Sequence, residues 1–110
     1  MGRRREEEEV EELKKTLCSL CGRILLHNAY ELAKYAKHLD PYYVAKMVTD
    51  MLRCAEQVEE ACECKDMKEL VDYFESAIRD WVVEGIEESQ GIAVKYAKEI
   101  MNKVRECKLI

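Results

Sequence analysis

The chain has 110 residues, of which 48% are hydrophobic and 37% charged, so it is long and apolar enough to fold as one domain and is not a disordered chain. Its net charge of -5 argues against a protein built mainly to hold nucleic acid. No apolar run approaches the length of a membrane span, which argues against a membrane protein.

The predicted elements are all helical. Apolar residues recur every three or four positions along the whole chain, whereas the alternation typical of strands is missing. We predict four helices, over about 5–39, 41–64, 67–88 and 90–108. Their short connections favour an antiparallel up-down four-helix bundle in a single domain, 1–110, with a long first helix. Residues 1–5 carry three arginines unsuited to a helix start, so we predict a frayed basic arm there.

The clearest boundary is Asp40-Pro41, because Asp is a good N-cap and Pro suits the first turn of a helix. The first helix carries a second apolar strip on its back, away from its main face. Two interpretations stay open: both neighbouring helices cover the first helix, or the strip binds a partner or a second copy in a homodimer. The candidates for such a partner face are Gly22, Leu26, Tyr30 and Ala33, together with the overhanging N-terminal turns.

Five of the six cysteines are predicted to gather at the end of the bundle away from Asp40. The first two helices form a hairpin around this turn, so facing positions should sum to about 81. We call this group the cysteine pole; its members are Cys18, Cys21, Cys62, Cys64 and Cys107. The leading interpretation is a set of disulfides, for instance Cys18 or Cys21 with Cys62, and Cys107 with a remaining thiol. Cys54 is predicted to lie level with His27, out of the group.

Three other interpretations of the cysteines stay open. One is a zinc or iron-sulfur site, whose thiolates would come from Cys18, Cys21, Cys62 and Cys64. Another is redox catalysis by a thiol at Cys18 or Cys21, although the strand-helix context usual for a redox C-x-x-C is missing. The last is a set of plain buried thiols that pack as small core residues. The leading interpretation needs no cofactor.

Charge is distributed unevenly along the chain. Residues 54–90 hold twelve acidic and three basic side chains, whereas residues 91–110 hold five basic and two acidic ones. Lysines and tyrosines near the predicted turn, with further lysines on the last helix, could contact a nucleic acid, but lysines lying over tyrosines are the commoner pattern. The nucleic-acid candidates are Lys34, Lys37, Lys46, Lys95 and Lys98.

The sequence contains no recognisable nucleophile motif, phosphate-binding glycine loop or paired carboxylates, so we predict a protein that is not an enzyme. The chain has only two Asn and two Gln residues but many Glu and Lys, which is typical of hyperthermophile proteins, so we predict a hyperthermophilic, archaeal source. Intracellular proteins of hyperthermophiles often contain structural disulfides. With no apolar leader in its first residues, the chain is therefore expected to be a cytoplasmic, disulfide-stabilised interaction or assembly protein.

Overall fold

The computed structural model describes the backbone of residues 2–110 and the side chains from Arg5 onward. Four helices account for most of it: α1 (Gly2–Tyr35), α2 (Pro41–Ala61), α3 (Met67–Val82) and α4 (Ser89–Glu106). A short 3-10 helix, Ala36–His38, follows α1. Each helix packs on the next, and α4 returns to pack on α1, which closes the bundle. The predicted all-α four-helix bundle is confirmed.

The predicted helix starts agree with the structure better than the predicted ends. The Asp40 carboxylate accepts a hydrogen bond from the backbone N–H of Tyr42 at 2.8 Å, and Pro41 is the first residue of α2. However, α1 ends at Tyr35 rather than near 39, α2 at Ala61 rather than near 64, and α3 at Val82 rather than near 88. Left-handed residues follow α2 and α3, at Glu63 (φ 54°) and Gly85 (φ 71°), and such residues reverse the chain after a helix.

One continuous core runs along the bundle. Its largest fully buried side chains are Phe74, Leu25, Leu32, Met51, Met67 and Ile100. The buried Asn28 donates a hydrogen bond from Nδ2 to the backbone oxygen of Met47 at 3.1 Å, which ties α1 to α2. A buried amide needs such a partner, and this one fixes the relative position of the two helices.

The back strip of α1 is largely covered by α4 and the C-terminal residues. Gly22 and Ala33 are both buried. The Gln90 side chain donates to the Ala33 backbone oxygen at 3.3 Å, and Leu109 lies directly over Gly22. The prediction that Gly22 and Ala33 form part of a partner face is therefore corrected, because other residues of the same chain cover both of them. Leu26 is half-buried and Tyr30 is exposed, so these two remain accessible.

The beginning of α1 extends beyond the rest of the bundle. The molecule is 59 Å along its longest axis but only 26 and 17 Å along the others. Every residue from 5 to 16 is exposed, including Val10 (50%) and Leu13 (68%). We call residues 5–16 the N-terminal overhang. The structure describes helix from Gly2, but the side chains of residues 1–4 lie outside the described part, so the frayed basic arm stays a prediction.

Candidate functional site

Two disulfides form at the predicted cysteine pole. Cys18 on α1 is bonded to Cys62, the residue that caps the end of α2, with a Cα–Cα distance of 6.0 Å. Cys64 is bonded to Cys107, the residue that caps the end of α4, with a Cα–Cα distance of 5.5 Å. The bridges therefore fix α1 to the end of α2, and the α2–α3 connection to the end of α4.

The remaining predicted member of the pole, Cys21, is not in a disulfide. It is a free, buried thiol, and its hydrogen-bonding partner is the other free cysteine, Cys54 on α2. Burial raises the pKa of the Cys54 thiol, and the hydrogen bond with Cys21 and the negative charge of Asp50 raise that pKa further. The Cys54 thiol is therefore held in the protonated form inside the core. The prediction that Cys21 forms a disulfide is corrected, because its thiol is free.

The Cys21–Cys54 contact was missed because the predicted turn was too close to α2. The bonded Cys18 and Cys62, at the end of the hairpin, sum to 80, but with α1 ending at 35 and α2 beginning at 41 the positions that face each other inside the two helices sum to about 75 rather than 81. Asn28 with Met47 fits this value, and so does Cys21 with Cys54. The signal that could have shown the earlier end of α1 is weak, since Ala36, Lys37 and His38 are all compatible with helix.

The disulfides bear directly on the zinc or iron-sulfur alternative. Such a site needs free thiolates, but the sulfur atoms of Cys18, Cys62 and Cys64 are each bonded to another sulfur. This leaves Cys21 alone of the four proposed ligands. Among the residues that the structure describes, no group of three or more His, Cys, Asp or Glu side chains is arranged to hold a metal. The oxidised chain therefore does not fit a four-thiolate centre.

The nucleic-acid candidates are spread over two regions of the surface, and several already have partners. Lys34 donates to the Tyr30 hydroxyl at 2.7 Å and lies over its ring, while Lys37 pairs with Glu87. Lys95 lies over the ring of Tyr96, which stacks on Tyr73. Lys46 and Lys98 are exposed. The lysines thus lie mainly over tyrosines and beside a carboxylate, rather than in one basic groove.

The N-terminal overhang is the most unusual surface of the described chain. Its two apolar side chains, Val10 and Leu13, continue along α1 into Leu17, Leu20 and Ile24. Leu20 is 52% exposed, while Leu17 and Ile24 are half-buried. The spacing alternates between three and four residues, which is the a/d pattern of a coiled-coil seam. We call these five residues the α1 seam.

Within the seam, the exposed Leu20 faces away from the rest of the bundle, whereas Leu17 and Ile24 pack partly against the core. Cys18 is bonded to the end of α2, and Gly22 lies under Leu109. Leu20 lies two residues from each of them, and two residues correspond to about 200° around a helix. The exposed leucine therefore points to the opposite side of α1 from both covered positions. A second helix can therefore reach the exposed Val10, Leu13 and Leu20 without displacing any part of the bundle.

Comparison with protein-family models, with curated proteins and with solved structures found no match. Within residues 2–110, no helix is long and apolar enough to cross a membrane.

Proposed function

We propose that this chain is a non-enzymatic assembly protein whose copies associate through the α1 seam. The observation that carries the proposal is the exposure of Val10, Leu13 and Leu20 along one line of a helix that projects from its own bundle. Exposed apolar side chains are ordinary when scattered singly, but a continuous stripe with coiled-coil spacing is typical of an interface.

The instability of a lone helix supports the same proposal. Isolated helices shorter than about 12–15 residues are marginal in water, because one hydrogen bond per residue barely offsets the lost backbone entropy. Every side chain from 5 to 16 is exposed in the described chain. Packing against a second helix would supply the tertiary contacts that normally stabilise such a segment. The overhang is therefore expected to be most stable in an assembly.

The disulfides suit this role because they make the body of each copy a rigid support. Cys18 lies just after the overhang, and its bond to Cys62 fixes the base of the overhang to the bundle. An interface built on a rigid element loses less conformational entropy when it forms. As part of the same proposal, the protein works in the cytoplasm of a hyperthermophile. The scarcity of Asn and Gln supports that setting, as does the frequency of disulfides inside hyperthermophile cells.

Sedimentation equilibrium over a range of protein concentrations tests the proposal. We expect the wild-type chain to dimerise, and we expect Leu13→Glu to weaken the dimer about a hundredfold, because each copy then loses a buried leucine from the seam. Leu13 is 68% exposed in the single chain, so this substitution should leave the fold unchanged.

Lys15→Glu is the matched control. It introduces the same side chain two residues away, at an exposed position on the other side of α1, and should leave dimerisation nearly unchanged. A wild-type chain that stays monomeric at all concentrations would contradict the proposal. Equal weakening by the two substitutions would also contradict it, because the seam would then have no special role.

A further inference from the structure

We infer that the partner is a second copy lying antiparallel, so that each N-terminal overhang covers residues 17–24 of α1 in the other copy. This inference rests on the proposed function and adds the direction and register of the pairing. It predicts a two-fold axis beside residue 15, with facing positions that sum to about 30. A two-fold arrangement of this kind closes after two copies and does not extend into a fibre.

Four of the five seam residues pair with each other in this register, whereas Ile24, which packs partly against the core of its own bundle, faces Glu6. Val10 faces Leu20 of the second copy, and Leu13 faces Leu17, and the two-fold axis repeats both contacts. In antiparallel coiled coils a residue at an a position packs against a residue at a d position. All four of these contacts, the two just named and their two-fold repeats, pair an a position with a d position. The exposed Leu20 and the half-buried Leu17 of each bundle are thereby covered by the other copy's overhang.

Charge decides between antiparallel and parallel pairing. Residues 6–12 contain six glutamates, and a parallel pair would place the two acidic blocks side by side. The antiparallel register instead places each block beside residues 18–24, whose one charged side chain is Arg23. The same register also brings Lys14 of one copy close to Lys14 of the other, beside the two-fold axis, and these two side chains form one like-charge pair. This pair is a smaller penalty than two facing blocks of six glutamates.

A specific ion pair flanks the apolar layers in the antiparallel register. Glu9 and Arg23 both precede an a position by one residue, so each occupies a g position of the heptad. The g positions of antiparallel helices face each other, which places Glu9 beside Arg23 of the second copy, twice in the dimer. Both residues are exposed in the single chain and are free to form this contact. In a parallel pair, Glu9 would instead face Lys14.

Charge reversal in the full-length, oxidised protein tests the direction of pairing. We expect Glu9→Lys and Arg23→Glu each to raise the dimer dissociation constant about fivefold, since each affects two flanking pairs. The double variant Glu9→Lys/Arg23→Glu should return to the wild-type value. The double variant Glu9→Lys/Lys14→Glu should stay as weak as Glu9→Lys alone. Circular dichroism of each variant checks that the fold is unchanged.

The outcomes separate this inference from the proposed function. Rescue by Lys14→Glu in place of Arg23→Glu would overturn the antiparallel register. Failure of both double variants to rescue would overturn it too. In either case a wild-type dimer that Leu13→Glu weakens would leave the proposed function standing. A wild-type monomer at all concentrations would overturn both.

Discussion

At the scale of single residues, Gly22 is a position where α1 and the C-terminal residues lie in close contact. A Cβ atom at Gly22 would lie 2.7 Å from the Cβ of Leu109 and 3.2 Å from its backbone oxygen. Lys108 adopts a left-handed conformation (φ 55°), and the Leu109 N–H bonds to the Val104 oxygen at 3.0 Å, which holds Leu109 over α1. The glycine is therefore required by packing rather than by its own backbone conformation.

We expect Gly22→Ala to lower the free energy of unfolding by about 1 kcal/mol, because overpacking outweighs the better helix propensity of alanine. Gly91→Ala is the matched control, since a Cβ there meets nothing within 4 Å and Gly91 also lies in a helix. The control should raise the free energy of unfolding by about 0.5–1 kcal/mol. Denaturant unfolding of both variants measures the difference, and equal stabilisation by the two would contradict the close contact.

The buried Cys54 thiol predicts a dependence of stability on pH. Its pKa in the folded chain is raised, mainly by burial, so the unfolded chain loses this proton at a lower pH than the folded chain does. The contribution of Cys54 is thus fully present below the ordinary thiol pKa of 9.0 and declines as pH rises above it.

Denaturant unfolding between pH 7 and 10 measures this effect. The wild-type chain should lose up to about 1.4 kcal/mol per pH unit above the ordinary thiol pKa, relative to a Cys54→Ala variant. The comparison with the variant removes the contribution of tyrosines and lysines that titrate in the same range. Parallel curves for the two proteins would show that the Cys54 thiol is not protected in the folded chain.

At the scale of elements, the two disulfides should contribute much of the stability. Each closes a loop of similar size, with sequence separations of 44 and 43 residues. In the chain-entropy model each bridge is worth about 4 kcal/mol. We expect Cys18→Ser/Cys62→Ser and Cys64→Ser/Cys107→Ser each to lower the free energy of unfolding by about that amount. The oxidised chain should melt above about 90 °C.

Intact mass with and without reductant is the direct check on the bridges. Each disulfide lowers the mass by about two units relative to two thiols. The control is Cys21→Ala, which removes a free thiol and should leave the mass change on reduction the same as in the wild type. A retained metal mass, or an unchanged free energy of unfolding after reduction, would contradict the disulfide assignment.

The helices could be predicted from the sequence because their signals are local. Asp40 and Pro41 mark a start through their own chemistry, and the apolar period gives the buried faces of α2, α3 and α4. The last residues of the helices and some of their capping contacts could not be predicted in this way, because they depend on tertiary packing. At the start of α3, for example, Asp66 is left-handed and makes no side-chain cap. Instead the Glu59 carboxylate on α2 accepts the hydrogen bond from the Lys68 N–H at 3.0 Å.

At the scale of the whole molecule, the sequence could predict that cysteines from three parts of the chain would meet, because hairpin geometry brings them to one end. It could not predict which ones bond, since an error of six in the facing sum moves the residue opposite Cys54 from His27 to Cys21. It also left open whether the back strip of α1 was covered. The cover of this strip depends on where α4 and the C-terminal residues lie beside α1. The contacts of Gly22 and Ala33 show this position.

The two disulfides also define how the chain is connected as a covalent object. The loops they close, 18–62 and 64–107, do not overlap, and Glu63 alone lies between them. The oxidised chain is thus a figure of eight with a tail of 17 residues at one end and three at the other. A single peptide cleavage inside either loop leaves the pieces joined, whereas a cleavage in the long tail releases a fragment. Apart from a cut beside Glu63, which would separate the two loops, the segment proposed to assemble the protein is the one large part that a single cleavage can remove from the oxidised molecule.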